Sequence, residues 1–132
     1  MSNNELIKKV VKGVDSIMGK GWLSHALNKD YRKNSCGSLD MEIYEKTFYD
    51  GTTHSFIIAR DCRQNTRIPN FRNVSEANPG RMVEYCIGKK NEPPKRIGLQ
   101  FINNQQPYLF ALNFVLDSIN KIELKYLEKE ML

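Results

Sequence analysis

Residues 41–61, MEIYEKTFYDGTTHSFIIARD, contain two runs rich in β-branched and aromatic residues that meet at Asp50-Gly51. Such runs are typical of β-strands. Asp-Gly is a common hairpin turn, because glycine tolerates positive φ angles. The stretch therefore predicts an antiparallel hairpin with strands at 41–49 and 54–61.

The loop of this hairpin decides which side chains share a face of the sheet. A loop of two or four residues places Ile43 on the side of Phe56 and Ile58, and Tyr44 on the side of Ile57. Both predicted faces carry apolar residues. We therefore expect both faces of the hairpin to be covered.

Two further strands are predicted downstream of the hairpin, at 82–87 and 96–101. In the second of them Ile97, Leu99 and Phe101 alternate with polar or small residues, a pattern that predicts a half-buried strand with these three side chains facing inward. The four strands are most simply assembled as one antiparallel sheet.

Helical patterns flank the strands. Residues 4–18 predict an amphipathic helix that ends at residues 19–21, Gly-Lys-Gly, and residues 22–31 predict a second short helix. The apolar stripe of the first helix consists of Ile7, Val10, Val11, Val14, Ile17 and Met18.

The C-terminal region begins with Pro107, which suits the first turn of a helix. Residues 107–116 are predicted as helix or, because of their aromatic content, as strand. As a helix this region is apolar on all sides, so we expect burial all round and a homo-oligomer. The whole chain, 1–132, is interpreted as one α+β domain. It has a small antiparallel sheet of about four strands, an N-terminal helix and a long C-terminal helix.

Charge and cysteine content narrow the class of protein. The chain has 132 residues, a net charge of +5 and a pI near 9.1, which favours anionic partners. Its three cysteines form no CxxC pair, which indicates a reducing compartment, and no long apolar run predicts a membrane span. These features predict a cytoplasmic protein. The many asparagines and lysines are typical of an AT-rich genome, such as that of a phage or mobile element.

The strongest functional signal is a cluster of arginines. Five of the seven arginines lie between residues 60 and 81, alongside only two acidic residues. The planar guanidinium group makes two parallel hydrogen bonds to a phosphate, and an aromatic side chain among arginines can stack on a base. The alternative is that these arginines pair with nearby carboxylates. The predicted ligand-binding residues are Arg60, Arg63, Asn65, Arg67, Phe71, Arg72 and Arg81.

These residues predict a non-enzymatic binding protein for a phosphate-bearing ligand, a nucleotide or nucleic acid. Such a protein could sequester a nucleotide signal or block a nucleic-acid enzyme. The sequence contains no GxGxxG, GxxxxGK[ST] or HExxH motif, so it predicts no cofactor, metal or catalytic residue. Two alternatives remain: a nuclease or nucleotide-processing enzyme, and a protein–protein inhibitor. The nuclease would use Asp40, Glu42, Glu45 and Asp61.

Overall fold

The computed structural model describes residues 2–27, 41–60 and 80–131. Within these ranges the chain forms two helices and five strands. In chain order they are α1 (Asn3–Gly19), β1 (Leu23–Leu27), β2 (Met41–Thr47), β3 (Thr52–Arg60), β4 (Arg81–Lys89), β5 (Lys95–Ile102) and α2 (Pro107–Glu130).

The strands form an antiparallel meander in which each strand pairs with its neighbours in sequence, from β1 at one edge to β5 at the other. Both helices lie on one face of the sheet. Their apolar side chains form a single core with Tyr44, Phe56, Ile58 and Val83. The predicted α+β fold is confirmed, and a fifth strand is added to the expected four.

The fifth strand is β1, so the short helix predicted for residues 22–31 is wrong in its first part. Gly21 has a φ of +96° and closes α1 with a paired C-terminal cap: its N–H donates to Met18 O, and the N–H of Trp22 donates to Ile17 O. This cap turns the chain sharply and sends Trp22 into the core, where it is 1% exposed. The next five residues then pair with β2 instead of starting a new helix.

The strands of the hairpin are confirmed, but the predicted assignment of side chains to faces is wrong. Phe48 and Thr52 close a loop of three residues, since Phe48 N donates to Thr52 O and Gly51 N donates to Phe48 O. Gly51 has a φ of +83°, as this loop requires. One residue more or less in the loop moves every side chain of one strand to the other face relative to the partner strand. Ile43 therefore lies opposite Ile57, and Tyr44 lies opposite Phe56 beneath the helices.

The α1 prediction is confirmed, but its buried stripe is rotated by about one position. Leu6, Val10 and Ile17 are buried, whereas Val11 is 55% exposed. Gly13 faces α2 so closely that an added Cβ would lie 2.7 Å from a methyl carbon of Leu116. The missing side chain therefore lets the two helices approach each other.

The helical alternative for residues 107–116 is confirmed. The expected burial on all sides is wrong, however, because Phe110 and Phe114 are 46% and 40% exposed. Ala111, Val115 and Ile119 are fully buried in the core that the helices share with the sheet. The homo-oligomer expected from all-round burial stays a prediction.

Candidate ligand-binding site

The two ends of the arginine-rich segment are adjacent in the sheet. Arg60 is the last residue of β3 and Arg81 is the first residue of β4, and the two are register partners. Both side chains are half-exposed. The other predicted site residues, Arg63, Asn65, Arg67, Phe71 and Arg72, lie outside the described residues.

Arg81 also meets the start of α2. Its guanidinium carbon lies 5.9 Å from the centre of the Tyr108 ring, within the range of a cation–π interaction. The first turn of α2 contains no acidic residue, so no side chain of the helix itself offsets the partial positive charge of the helix start. Arg60, Arg81 and this helix start therefore bring positive potential to one end of the sheet.

Glu42 supplies a negative charge at the same end and is held by two tyrosines. The hydroxyl of Tyr108 donates to Glu42 Oε1 at 2.6 Å, and that of Tyr44 donates to Oε2 at 3.1 Å. Burial and the nearby carboxylate raise the pKa of Tyr44 to about 12, and burial raises the pKa of Tyr108 in the same direction. Both hydroxyls thus stay protonated donors at neutral pH. They fix the Tyr108 ring against Arg81, while Glu42 offsets part of the positive charge.

A groove of about 220 Å³ separates β5 from α2 on the same face of the sheet as Arg81. Its floor contains Phe56 and Tyr85, whose rings are stacked 4.5 Å apart at an angle of 5°. Gly98 faces α2 from β5, so no side chain fills the space between strand and helix. The remaining lining residues are Val83, Leu99, Gln100, Phe114 and Ser118.

The sequence pattern of β5 pointed to the wrong face. Ile97 and Leu99, expected to face inward, are 54% and 38% exposed. The pairing of Gly98 with Tyr85 and of Gln100 with Val83 places these two residues on the helix-covered face instead. A glycine inside a strand often marks a close approach or an unfilled space, and Gly98 was the available signal for this groove.

A buried polar network surrounds His54 beneath α2. The Nδ1 atom lies 2.7 Å from the Tyr85 hydroxyl and Nε2 lies 3.0 Å from the Tyr126 hydroxyl, which itself donates to Asp50 at 2.9 Å. Because Tyr126 has a single proton, its oxygen accepts from Nε2–H, and Nδ1 then accepts from Tyr85. Burial lowers the pKa of His54, although the Asp50 charge opposes this. The neutral histidine thus joins the β2–β3 hairpin to α2, which is a structural role.

The residues of the nuclease alternative do not converge where the structure describes them. Glu42 lies on the helix-covered face of β2, while Glu45 lies on the opposite face, where its carboxylate is 3.4 Å from His25. Asp40 and Asp61 lie outside the described residues. Over residues 2–27, 41–60 and 80–131, no group of three or more potential metal ligands occurs.

The face of the sheet away from the helices carries a larger hollow, about 420 Å³ in volume. Hydroxyl groups line it, including those of Thr47 and Thr53, which are 2.7 Å apart. Lys89, at the end of β4, and Lys90, directly after it, also line the hollow, as do the acidic residues Glu45 and Glu92. This mixture of charges selects no single class of ligand.

Comparison of the chain with protein-family models, with curated proteins and with solved structures gives no match. Among the described residues no helix combines the length and apolarity needed to cross a membrane.

Proposed function

We propose that this chain is a binding protein, without catalytic turnover, for a phosphate-bearing ligand such as a nucleotide or nucleic acid. The observation that supports it is the register pairing of Arg60 with Arg81 across β3 and β4. Arg60 and Arg81 are the first and last of the seven residues predicted from the sequence to bind ligand. The strand pairing therefore places the two ends of the arginine-rich segment side by side. Sequestering a nucleotide signal or blocking a nucleic-acid enzyme is the biological role proposed for such binding.

The chemistry of this end of the sheet suits an oxyanion. Guanidinium groups bind phosphate through paired, charge-assisted hydrogen bonds, and the helix start beside Tyr108 adds partial positive charge. Glu42 is occupied by the hydroxyls of Tyr44 and Tyr108. Glu42 thereby positions the ring of Tyr108. Arg60, Arg81 and Glu42 together still carry a net positive charge.

Binding of tripolyphosphate, ATP and a short single-stranded DNA or RNA, measured by calorimetry without divalent metal, tests this proposal. Arg60→Gln and Arg81→Gln are expected to weaken binding of all these probes by about tenfold or more, since a charge-assisted hydrogen bond contributes about 1.5–3 kcal/mol. Arg96→Gln is the matched control. It removes the same charge from β5, where Arg96 pairs with Glu84 at 2.6 Å.

Salt and metal dependence separate the possible ligands and the alternative classes. A steep fall of affinity with salt indicates polymeric nucleic acid, because each neutralised phosphate releases counterions. The proposal is wrong if no probe binds, or if Arg60→Gln and Arg81→Gln change only the unfolding midpoint and leave affinity unchanged. Turnover of a probe on addition of Mg²⁺ would establish an enzyme instead. Arg63→Ala and Arg67→Ala extend the test to the segment outside the described residues.

A further inference from the structure

We infer that the groove between β5 and α2 is a nucleobase subsite, defined by Tyr85, Gly98, Gln100, Phe114 and Ser118. This inference rests on the proposed function, because it assigns the base of the same ligand whose phosphate lies at Arg60 and Arg81. The occupant of the groove is a planar heteroaromatic ring.

The size of the groove suits one ring system. Its volume of about 220 Å³ is below the range of about 300–1,000 Å³ typical of sites that enclose a drug-sized ligand. It therefore fits the base of a nucleotide, while ribose and phosphates extend out of the groove. The space exists because Gly98 presents no side chain to α2.

The walls have the chemistry that a base requires. Phe114 lies on the helix side and is 40% exposed, while the stacked rings of Phe56 and Tyr85 form the floor. Aromatic side chains bind bases of any sequence by stacking. Gln100 and Ser118 bring polar side chains to this apolar groove. A glutamine amide can make two hydrogen bonds to the edge of one base, which would give a preference among bases.

The position of the groove relative to Arg81 matches the order of groups in a nucleotide. Val83, which lines the groove, is two residues from Arg81 on β4 and on the same face. At the rise of a β-strand this is about 7 Å, and Tyr85 is about 13 Å from Arg81. A ribose and a chain of phosphates span distances of this order. One nucleotide can therefore occupy the groove and reach the arginines.

Gly98→Val is expected to narrow the groove without disturbing the backbone. Gly98 does not have a positive φ, and a Cβ added there lies 3.6 Å from the Tyr85 Cβ, an ordinary van der Waals contact. Valine is also favoured over glycine in strands, so the variant is expected to fold. Ile97→Val, on the same edge strand but outside the lining, is the matched control.

The affinities of ATP, GTP, CTP and UTP are compared with that of tripolyphosphate by calorimetry without divalent metal. In the wild-type protein at least one nucleotide is expected to bind about 10- to 100-fold more tightly than tripolyphosphate, from stacking of its base. Gly98→Val and Phe114→Ala are expected to abolish this difference while leaving tripolyphosphate binding unchanged. Gln100→Ala is expected to reduce the differences among the four nucleotides.

The outcomes distinguish the subsite from the proposed function. If tripolyphosphate binds and no nucleotide binds more tightly, the nucleobase subsite is refuted and the phosphate site stands. The subsite is also refuted if Gly98→Val folds and keeps the full nucleotide advantage. If adenosine binds in a Gly98-dependent manner but tripolyphosphate does not bind, the groove is supported and the proposed phosphate function fails. Failure of every probe overturns both.

Discussion

Removal of the Glu123 side chain is expected to destabilise the described core, because one carboxylate holds two partners there. Its Oε1 atom accepts a hydrogen bond from Trp22 Nε1 at 3.0 Å and from Lys46 Nζ at 2.5 Å. The tryptophan is 1% exposed, while the side chains of Lys46 and Glu123 are 20% and 18% exposed. A single carboxylate therefore links α2 to β2 and to the residue that precedes β1.

The expected effect of Glu123→Ala follows from these contacts. The variant leaves a buried indole N–H without its acceptor, at a cost of about 1–3 kcal/mol, and leaves a partly buried ammonium group without its partner. After allowance for solvent screening of a pair that is about one-fifth exposed, the total loss is about 2–4 kcal/mol. Glu123→Gln keeps a carbonyl acceptor for Trp22 and removes only the charge, so it should cost about 1 kcal/mol.

Urea denaturation provides the measurement, followed by circular dichroism and by fluorescence of Trp22, the single tryptophan of the chain. With a slope of about 2 kcal/mol per M urea, Glu123→Ala should lower the midpoint by about 1–2 M. Combining Glu123→Gln with Lys46→Met in a double-mutant cycle isolates the charge pair. The reasoning is refuted if Glu123→Ala costs less than about 1 kcal/mol, or no more than Glu123→Gln.

Two further outcomes are expected. Burial lowers the pKa of His54, so the unfolded chain binds the proton more readily. The free energy of unfolding should then decrease as pH falls from about 6.5 toward the lowered pKa, by at most about 1.4 kcal/mol per pH unit. Urea titrations at several pH values should show this decrease in the wild type and a smaller one in His54→Gln; equal slopes would contradict it. Gly51→Ala should cost about 1–2 kcal/mol, because Gly51 has a φ of +83°. Gly19→Ala, with open space around the added methyl group, should cost nothing measurable in the same urea assay.

Most helices and strands were predicted correctly from the sequence, because their patterns depend on residues that are neighbours in the chain. The amphipathic period of α1, the proline that starts α2 and the aromatic and β-branched runs of β2–β5 all reflect the intrinsic preferences of the backbone. The prediction failed at residues 23–27, because a strand of five residues offers too short a pattern. The pairing with β2 decides its conformation instead.

The candidate site was harder to predict than the fold. The arginine cluster was visible in composition, but only the β3–β4 register shows that Arg60 and Arg81 are neighbours. Tyr108 and Phe114 were expected to be buried as core, whereas they line exposed surfaces of the described structure. Gln100 carried no signal of its own, since a polar residue in a strand usually faces water.

The sequence by itself determined the α+β class, the order of the main elements and the local density of arginine, because these depend on residues close together in the chain. The tertiary structure decided which faces those residues occupy. The three-residue loop at residues 49–51 reversed the faces of one strand of the hairpin relative to the other. The packing of α2 against a strand with Gly98 opened the groove. Face and cavity depend on register and on contacts between distant segments, and no local pattern encodes these.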